Sequence, residues 1–327
     1  MSLLSVKDLK VHFPVHGGVF YRQIANVFAV DGVSFEIQSG KTLGLVGESG
    51  CGKSTIGRAL LRLYDPTAGT VNFEGQDISE LRGGHLRTLR SDMQMIFQDP
   101  FESLNPRHTI GYTLQEPFII HKVGSPAERR QKVLRLLDRV GMPADSIHKF
   151  PHEFSGGQRQ RIGIARAIAL HPKLIICDEP VSALDVSIQS QVLNLLLELQ
   201  QEMGMAYLFI AHDLSVVKHV SDQVAVMYLG RVVEIAESEA LYENPLHPYT
   251  RALIASIPVP DPRQRKSFQP LQGEVPSPLS PPPHCHFVNR CPYAKAICNE
   301  QTPVLRKLGS DNDDTHQVAC HFAGEFK

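Results

Sequence analysis

The sequence predicts an α/β fold with a β-rich N-terminal sheet, a parallel-sheet core, a helical subdomain and a small cysteine-rich C-terminal unit. Three observations predict it. The apolar run Thr42–Val46 (TLGLV) leads through a glycine-rich turn into a helix-like run, STIGRALLRL. Two more apolar runs, Leu174–Cys177 (LIIC) and Ala206–Ile210 (AYLFI), flank a helical segment over Ile188–Met203, the strand–helix–strand order that builds a parallel sheet with crossover helices. Beyond about residue 240 prolines accumulate, and four cysteines crowd the stretch after residue 284, a change of composition that sets this part of the chain off from the rest.

Taken in order, residues 1 to about 97 alternate short β-like runs with turns, Thr70–Phe73 (TVNF) among them. Residues from about 100 to 170 read as mostly helical. There Ser125-Pro126-Ala127-Glu128 has capping-box spacing with proline at the first helical position, and Gly141 closes that helix. Gly204 is expected to cap Ile188–Met203. Pro245, Pro248, Pro258, Pro260 and Pro262 lead to VPSPLSPPP at 275–283, which reads as an extended, partly rigid connection. The expected division is 1–240, with its helical subdomain at about 100–170, and 241–327.

The 327 residues are 42% hydrophobic and 20% charged, with 33 basic against 34 acidic side chains and a formal net charge of -1. That is ordinary for a soluble globular chain and lacks the basic footprint of a dedicated nucleic-acid binder. The opening MSLLSVKDLKVHFPV carries Lys7, Asp8 and Lys10 and has no signal-peptide apolar run. No uninterrupted apolar stretch of about 18 residues is present, so the chain is not expected to cross a membrane by itself. Six cysteines in this length do not make a disulfide scaffold, and the reducing cytoplasm is the expected compartment.

Gly47-Glu48-Ser49-Gly50-Cys51-Gly52-Lys53-Ser54 matches the phosphate loop G-x-x-x-x-G-K-[ST] without a mismatch. Glycines let successive backbone N–H groups converge on an anion, and the following helix N-terminus adds partial positive charge. Lys53 is suited to the β- and γ-phosphates of ATP, Ser54 to Mg²⁺, and Thr55 to the α-phosphate. The strand Leu174–Cys177 ends in Asp178 and Glu179, at the sheet edge where open α/β folds bind ligands. Asp178 is the expected partner of Mg²⁺ and Glu179 the base that polarises the attacking water. A second helix start, Ser155-Gly156-Gly157-Gln158, opens RQRIGIARAIAL with capping-box spacing. Two such helix starts in one chain suit an ATP sandwiched between two subunits.

With these motifs, the chain resembles the ATP-binding cassette (ABC) ATPases, a class of P-loop NTPase, over roughly residues 3 to 240. Phe154-Ser155-Gly156-Gly157-Gln158 matches the family signature, with Phe154 replacing its commonest first residue. Gln98, in MIFQDP, falls where the family has its glutamine loop, which implies contact with Mg²⁺ and water. Ser182-Ala183-Leu184-Asp185 matches the loop that communicates across the cassette dimer. His212, in IAHDLS, matches the switch histidine at the γ-phosphate. Phe13 is the candidate aromatic for stacking on adenine, where the family usually has tyrosine, and GGVFYRQIANVF after it reads as an insertion.

The gap from Ser54 to Ser155 holds no sustained heptads, unlike the repair and chromosome members, and one cassette per chain differs from the ribosome-associated members. Transport is the function implied. Asn244-Pro245-Leu246-His247-Pro248-Tyr249-Thr250, the proline stretch and the cysteine-bearing end resemble the C-terminal extension of oligopeptide and dipeptide importer ATPases, as does SLNPR at 103–107. That resemblance implies two membrane permease subunits, a second and different ABC ATPase, an extracytoplasmic peptide-binding protein, and a peripheral place on the cytoplasmic face of the inner membrane. No nucleic acid is expected as a partner. A nickel or other small-solute importer is the alternative, and a stand-alone ABC ATPase acting on nucleic acid or ribosomes a further one.

Cys285, Cys291, Cys298 and Cys320 have the spacing C-x5-C-x6-C-x21-C, which is not the short-spaced C-x2-C pattern of common zinc ribbons or ferredoxins. Three readings fit: an iron–sulfur cluster, a zinc site with help from His284, His286, His316 or His321, or reduced cysteines packed as small hydrophobes. The importer resemblance implies a [4Fe-4S] cluster.

Overall fold

The computed structural model describes residues 2–17, 20–257, 271, 273–308 and 316–326, with the side chain of Glu102 left aside. Pro258, Pro260 and Pro262 lie outside the described residues. The chain divides into two compact units, one of Ile37–Lys41 and Glu80–Ile210, the other of Ser2–Glu36, Thr42–Ser79 and Ala211–Lys327.

In the first unit Met93–Ile96, Leu174–Asp178 and Ala206–Ile210 are parallel neighbours, with Met93 opposite Leu174 and Leu174 opposite Ala206. All five residues of each of the last two strands are buried. A strand covered on both faces reads as an unbroken apolar run, which is how LIIC and AYLFI stand in the sequence. The crossover is Val186–Met203, ended by Gly204 at φ 67°. Helices Ile110–Ile120, Pro126–Arg139 and Gly156–Ile168 fill the stretch expected to be helical. Pro126–Arg139 opens on the reciprocal Ser125–Glu128 capping box, and Gly141 lies just past its end at φ 70°.

In the second unit Ser2–Gly17 and Arg22–Gln38 are long strands, 16 and 17 residues. They differ from the short runs read from the sequence. Within the apparent insertion after Phe13, Phe20 is 80% exposed and Tyr21 76% exposed. These strands and Ala68–Phe73 and Gln76–Asp77 make a four-stranded sheet. Thr42–Val46 runs parallel to Gln223–Tyr228, which is antiparallel to Arg231–Glu237. Arg231–Glu237 in turn pairs antiparallel with Gln317–Val318, and that strand with Arg306–Lys307. The sheet is thus mixed: Gln223–Tyr228 and Arg231–Glu237 pair antiparallel, and Gln317–Val318 and Arg306–Lys307 extend that antiparallel part.

The proline-rich region holds more structure than its composition suggests. Pro248 occupies the first turn of helix Pro248–Ala255, where its missing N–H costs nothing, and the His247 side chain accepts from the Tyr249 N–H. The Pro278 carbonyl accepts from Phe28 N–H at 2.9 Å, so this stretch is hydrogen-bonded to the Arg22–Gln38 strand. The residue anchoring the C-terminal part is Glu234, 0% exposed. Its carboxylate accepts from Leu246 N–H at 2.6 Å and His247 N–H at 3.0 Å, and meets His316 Nε2 at 2.8 Å. A buried charge persists when its oxygens are satisfied in this way.

Candidate nucleotide site

Strand Thr42–Val46 delivers its C-terminal end to the phosphate loop, and helix Lys53–Leu60 leaves from it. That helix is shorter than the ten-residue run read from the sequence, because Leu61 caps it and Arg62 turns to φ 53°. Gly47 and Gly52 have φ of 153° and 106°. A Cβ on Gly47 would stand 2.1 Å from the Met227 carbonyl, and one on Gly52 2.0 Å from the Ala29 carbonyl. Only glycine fits either place.

Lys53 is buried, and its Nζ donates to the Gly47 carbonyl at 2.7 Å and the Glu48 carbonyl at 3.1 Å. The ammonium therefore sits inside the loop. Ser49 and Gly50 are exposed, while Ser54 and Thr55 are half-buried on the first helical turn. Cys51 is buried, and burial pushes its thiol pKa up, so it packs as a small hydrophobe and is a poor nucleophile. Phe13 is half-buried and meets the edge of Tyr64 with ring centroids 5.2 Å apart. Tyr64 is an aromatic neighbour that sequence motifs did not single out. His212 is exposed just ahead of helix Leu214–Val220, whose first N–H groups are capped by Asp213.

In the other unit Asp178 ends its strand 1% exposed, and Glu179 follows at φ 47°, a left-handed conformation rare for a side-chain-bearing residue. The Glu179 N–H donates to the Ile210 carbonyl at 2.9 Å, and the Glu179 carbonyl accepts from the Ser182 N–H at 3.3 Å and hydroxyl at 3.1 Å. Gln98, just beyond strand Met93–Ile96, donates from Nε2 to Glu179 Oε2 at 2.8 Å. The glutamine and the acid thus form a pair, a contact that the sequence reading had not foreseen.

Ser155 and Gln158 make the expected reciprocal capping box. Ser155 and Gln158 are exposed and Gly156 and Gly157 half-buried, so the helix start faces outward. Gly157 also has a packing role: a Cβ there would meet Ile188 Cγ2 at 2.5 Å. Asp185 precedes helix Val186–Met203 without capping it by its side chain, and Asp185 and Val186 are both exposed.

The cysteine region belongs to the second unit. Cys285, Cys291, Cys298 and Cys320 line one cavity, walled also by His247, Phe287 and Phe326. Burial pushes the Cys285 and Cys320 thiols up to about 11. Among the described residues no group of three or more His, Cys, Asp or Glu side chains is placed to hold a metal ion.

A phosphate loop, an acidic strand end with its glutamine, and a capped glycine helix start together define an ABC-type ATPase, a class in which ATP is bound and hydrolysed. Comparison with known proteins agrees. The ABC transporter family profile matches residues 30–182, and that for the oligopeptide/dipeptide transporter C-terminal region matches residues 233–298. An oligopeptide transport ATP-binding protein, AppF of Bacillus subtilis, is 55% identical over 98% of this chain and 97% of its own length. The di/tripeptide transport ATP-binding protein DppF of Pseudomonas aeruginosa is 50% identical over 99% of each. The solved ATP-binding cassette MJ0796, a dimer in a post-hydrolysis state with ADP and phosphate, superposes with a TM-score of 0.63. It is 27% identical over 72% of this chain and 98% of its own. The chain belongs to the ATP-binding subunits of ABC transporters, in the oligopeptide/dipeptide group.

Proposed function

We propose that this chain hydrolyses ATP to energise import of oligopeptides or dipeptides. The observation that carries the reading is the conjunction of the complete ATPase motif set with full-length similarity to peptide-transport ATP-binding proteins. In this reading the phosphate loop, Gly47 to Ser54, receives the β- and γ-phosphates with Lys53, and Thr55 supports the α-phosphate. Phe13 stacks on adenine. Ser54, Asp178 and Gln98 serve Mg²⁺, Glu179 polarises the attacking water, and His212 contacts the γ-phosphate. The Gln98–Glu179 hydrogen bond supports a shared role for that pair in placing water. Ser155, Gly156, Gly157, Gln158 and Asp185 act on the ATP of a second cassette. Their outward-facing helix start and the dimeric state of the MJ0796 cassette support that arrangement.

The partners of this reading are two permease subunits, a second ABC ATPase and, indirectly, an extracytoplasmic peptide-binding protein. Among the described residues no helix is long and apolar enough to cross a membrane. The chain then works peripherally, on the cytoplasmic face of the inner membrane. The division at about residue 240 separates the ATPase part from the extension, within the limits that the two family matches suggest.

For the four cysteines the importer similarity favours an iron–sulfur cluster, with zinc the alternative. That they line one cavity supports a shared site, although among the described residues no group is placed to hold a metal ion. Cys285, Cys291, Cys298 and Cys320 would hold the cluster as thiolates, in a structural role. Affinity purification from gently solubilised membranes, with co-eluting chains identified by mass spectrometry, tests the transport reading. Two permeases and a second ATPase are expected, and recovery of ribosomes or nucleic-acid proteins alone would overturn it.

A further inference from the structure

Glu48 places a carboxylate within the loop that must receive a polyphosphate. Left uncompensated, that charge opposes ATP. The C-terminal extension meets it directly: Arg290 Nη1 lies 2.7 Å from Glu48 Oε2 and Nη2 lies 3.0 Å from Oε1, a two-pronged ion pair across 242 positions of sequence. The Arg290 side chain is 7% exposed and that of Glu48 27%.

The same extension holds the loop's backbone. Tyr249, fully buried, accepts the Glu48 N–H on its hydroxyl at 3.0 Å. The rings of Tyr228, Tyr249 and Phe287 pack at centroid distances of 4.8, 5.2 and 5.4 Å, and the Arg290 guanidinium lies 5.8 Å from the Tyr228 ring centre. Lys53 holds the Gly47 and Glu48 carbonyls, but a lysine that turns to phosphate gives those bonds up. Arg290 holds a side chain and not a loop N–H, so its hold can persist when ATP is bound.

We infer that Arg290 is a positioning residue of the nucleotide site, acting through Glu48: it neutralises and orients the loop's own carboxylate so that the cradle accepts ATP. The C-terminal extension is then part of the ATP-binding apparatus. This inference rests on the nucleotide-site reading above.

The test measures binding of a fluorescent ATP analogue to the purified full-length chain, with folding followed by thermal denaturation. R290M should weaken binding about tenfold, the size expected for an uncompensated charge at moderate effective dielectric, and more at low salt than at high. R290K, which keeps the charge, should lie nearer the wild type. Adding E48Q to R290M should recover most of the lost affinity, because the repelling charge is gone. A merely structural role for Arg290 makes the double variant as weak as R290M or weaker and leaves the deficit insensitive to salt. That outcome, or unchanged affinity in R290M, would overturn the inference. Should R290M not fold, R290K decides: affinity as in the wild type sustains the inference, and a tenfold loss with an unchanged melting temperature overturns it. Lys53→Ala is the separate control. Wild-type affinity in K53A would overturn the nucleotide-site reading itself, whatever Arg290 does.

Discussion

Glu179 occupies a left-handed backbone position that costs roughly 1–2 kcal/mol for a residue with a Cβ. Its own N–H and carbonyl are both bonded, and Gln98 holds one carboxylate oxygen. Strain so firmly held marks a side chain whose direction matters. Glu179→Gln keeps the size and the hydrogen-bonding reach but not the basicity. It should cut phosphate release by about 100-fold or more while nucleotide binding stays near the wild-type level. Normal turnover in this variant would remove Glu179 from the role. Asp31 makes a second case at this scale. Burial pushes its carboxyl pKa up, but the hydrogen bonds and charges of Arg231, 2.7 Å away, and of His12 outweigh that and leave it below its ordinary 3.8. A depressed folded-state pKa contributes stability that is present above the ordinary carboxylate range and lost as pH falls through the lowered value. The melting temperature should therefore drop on acidification below about pH 4, and Asp31→Asn should flatten that drop. An equal slope in both chains would count against the ion pair.

At the scale of elements, much of the architecture was legible because its causes are local. Thr42–Val46 and Ala206–Ile210 are the strands their apolar runs announce, and Ser125, Ser155 and Gly204 cap the helices they flank. The β character of the N-terminal part was legible, but the length of the Ser2–Gly17 and Arg22–Gln38 strands was not, since Pro14 and Gly32 read as breaks within them. Contacts that span the chain left no local sign either. Arg290 and Glu48 are ordinary charged residues in sequence, and only folding makes them partners. Gly157 shows how one residue can carry two demands: it opens the signature-like helix and lets Ile188 approach. Gly157→Ala should destabilise the chain by about 1–3 kcal/mol through overpacking, and Ile188→Ala in the same chain should recover part of the loss. A melting temperature unchanged by Gly157→Ala would show that the two helices give way easily.

At the scale of the whole molecule, the C-terminal extension is held within the second unit by a buried polar node and not by apolar packing alone. Glu234 collects two backbone N–H groups and His316. Glu234→Ala strips all three of their acceptor and should destabilise the chain by roughly 3 kcal/mol, with earlier proteolytic cleavage after residue 240. Cleavage at the wild-type rate would place the anchor elsewhere. Reconstitution shows whether ATP hydrolysis by this chain powers peptide import. Co-purified permeases, both ATPases and the binding protein would be placed in liposomes, and uptake of labelled peptide measured with and without ATP. Uptake should require ATP and be abolished by Glu179→Gln in this chain. Peptide uptake that proceeds unchanged with the Glu179→Gln chain in place would contradict that expectation.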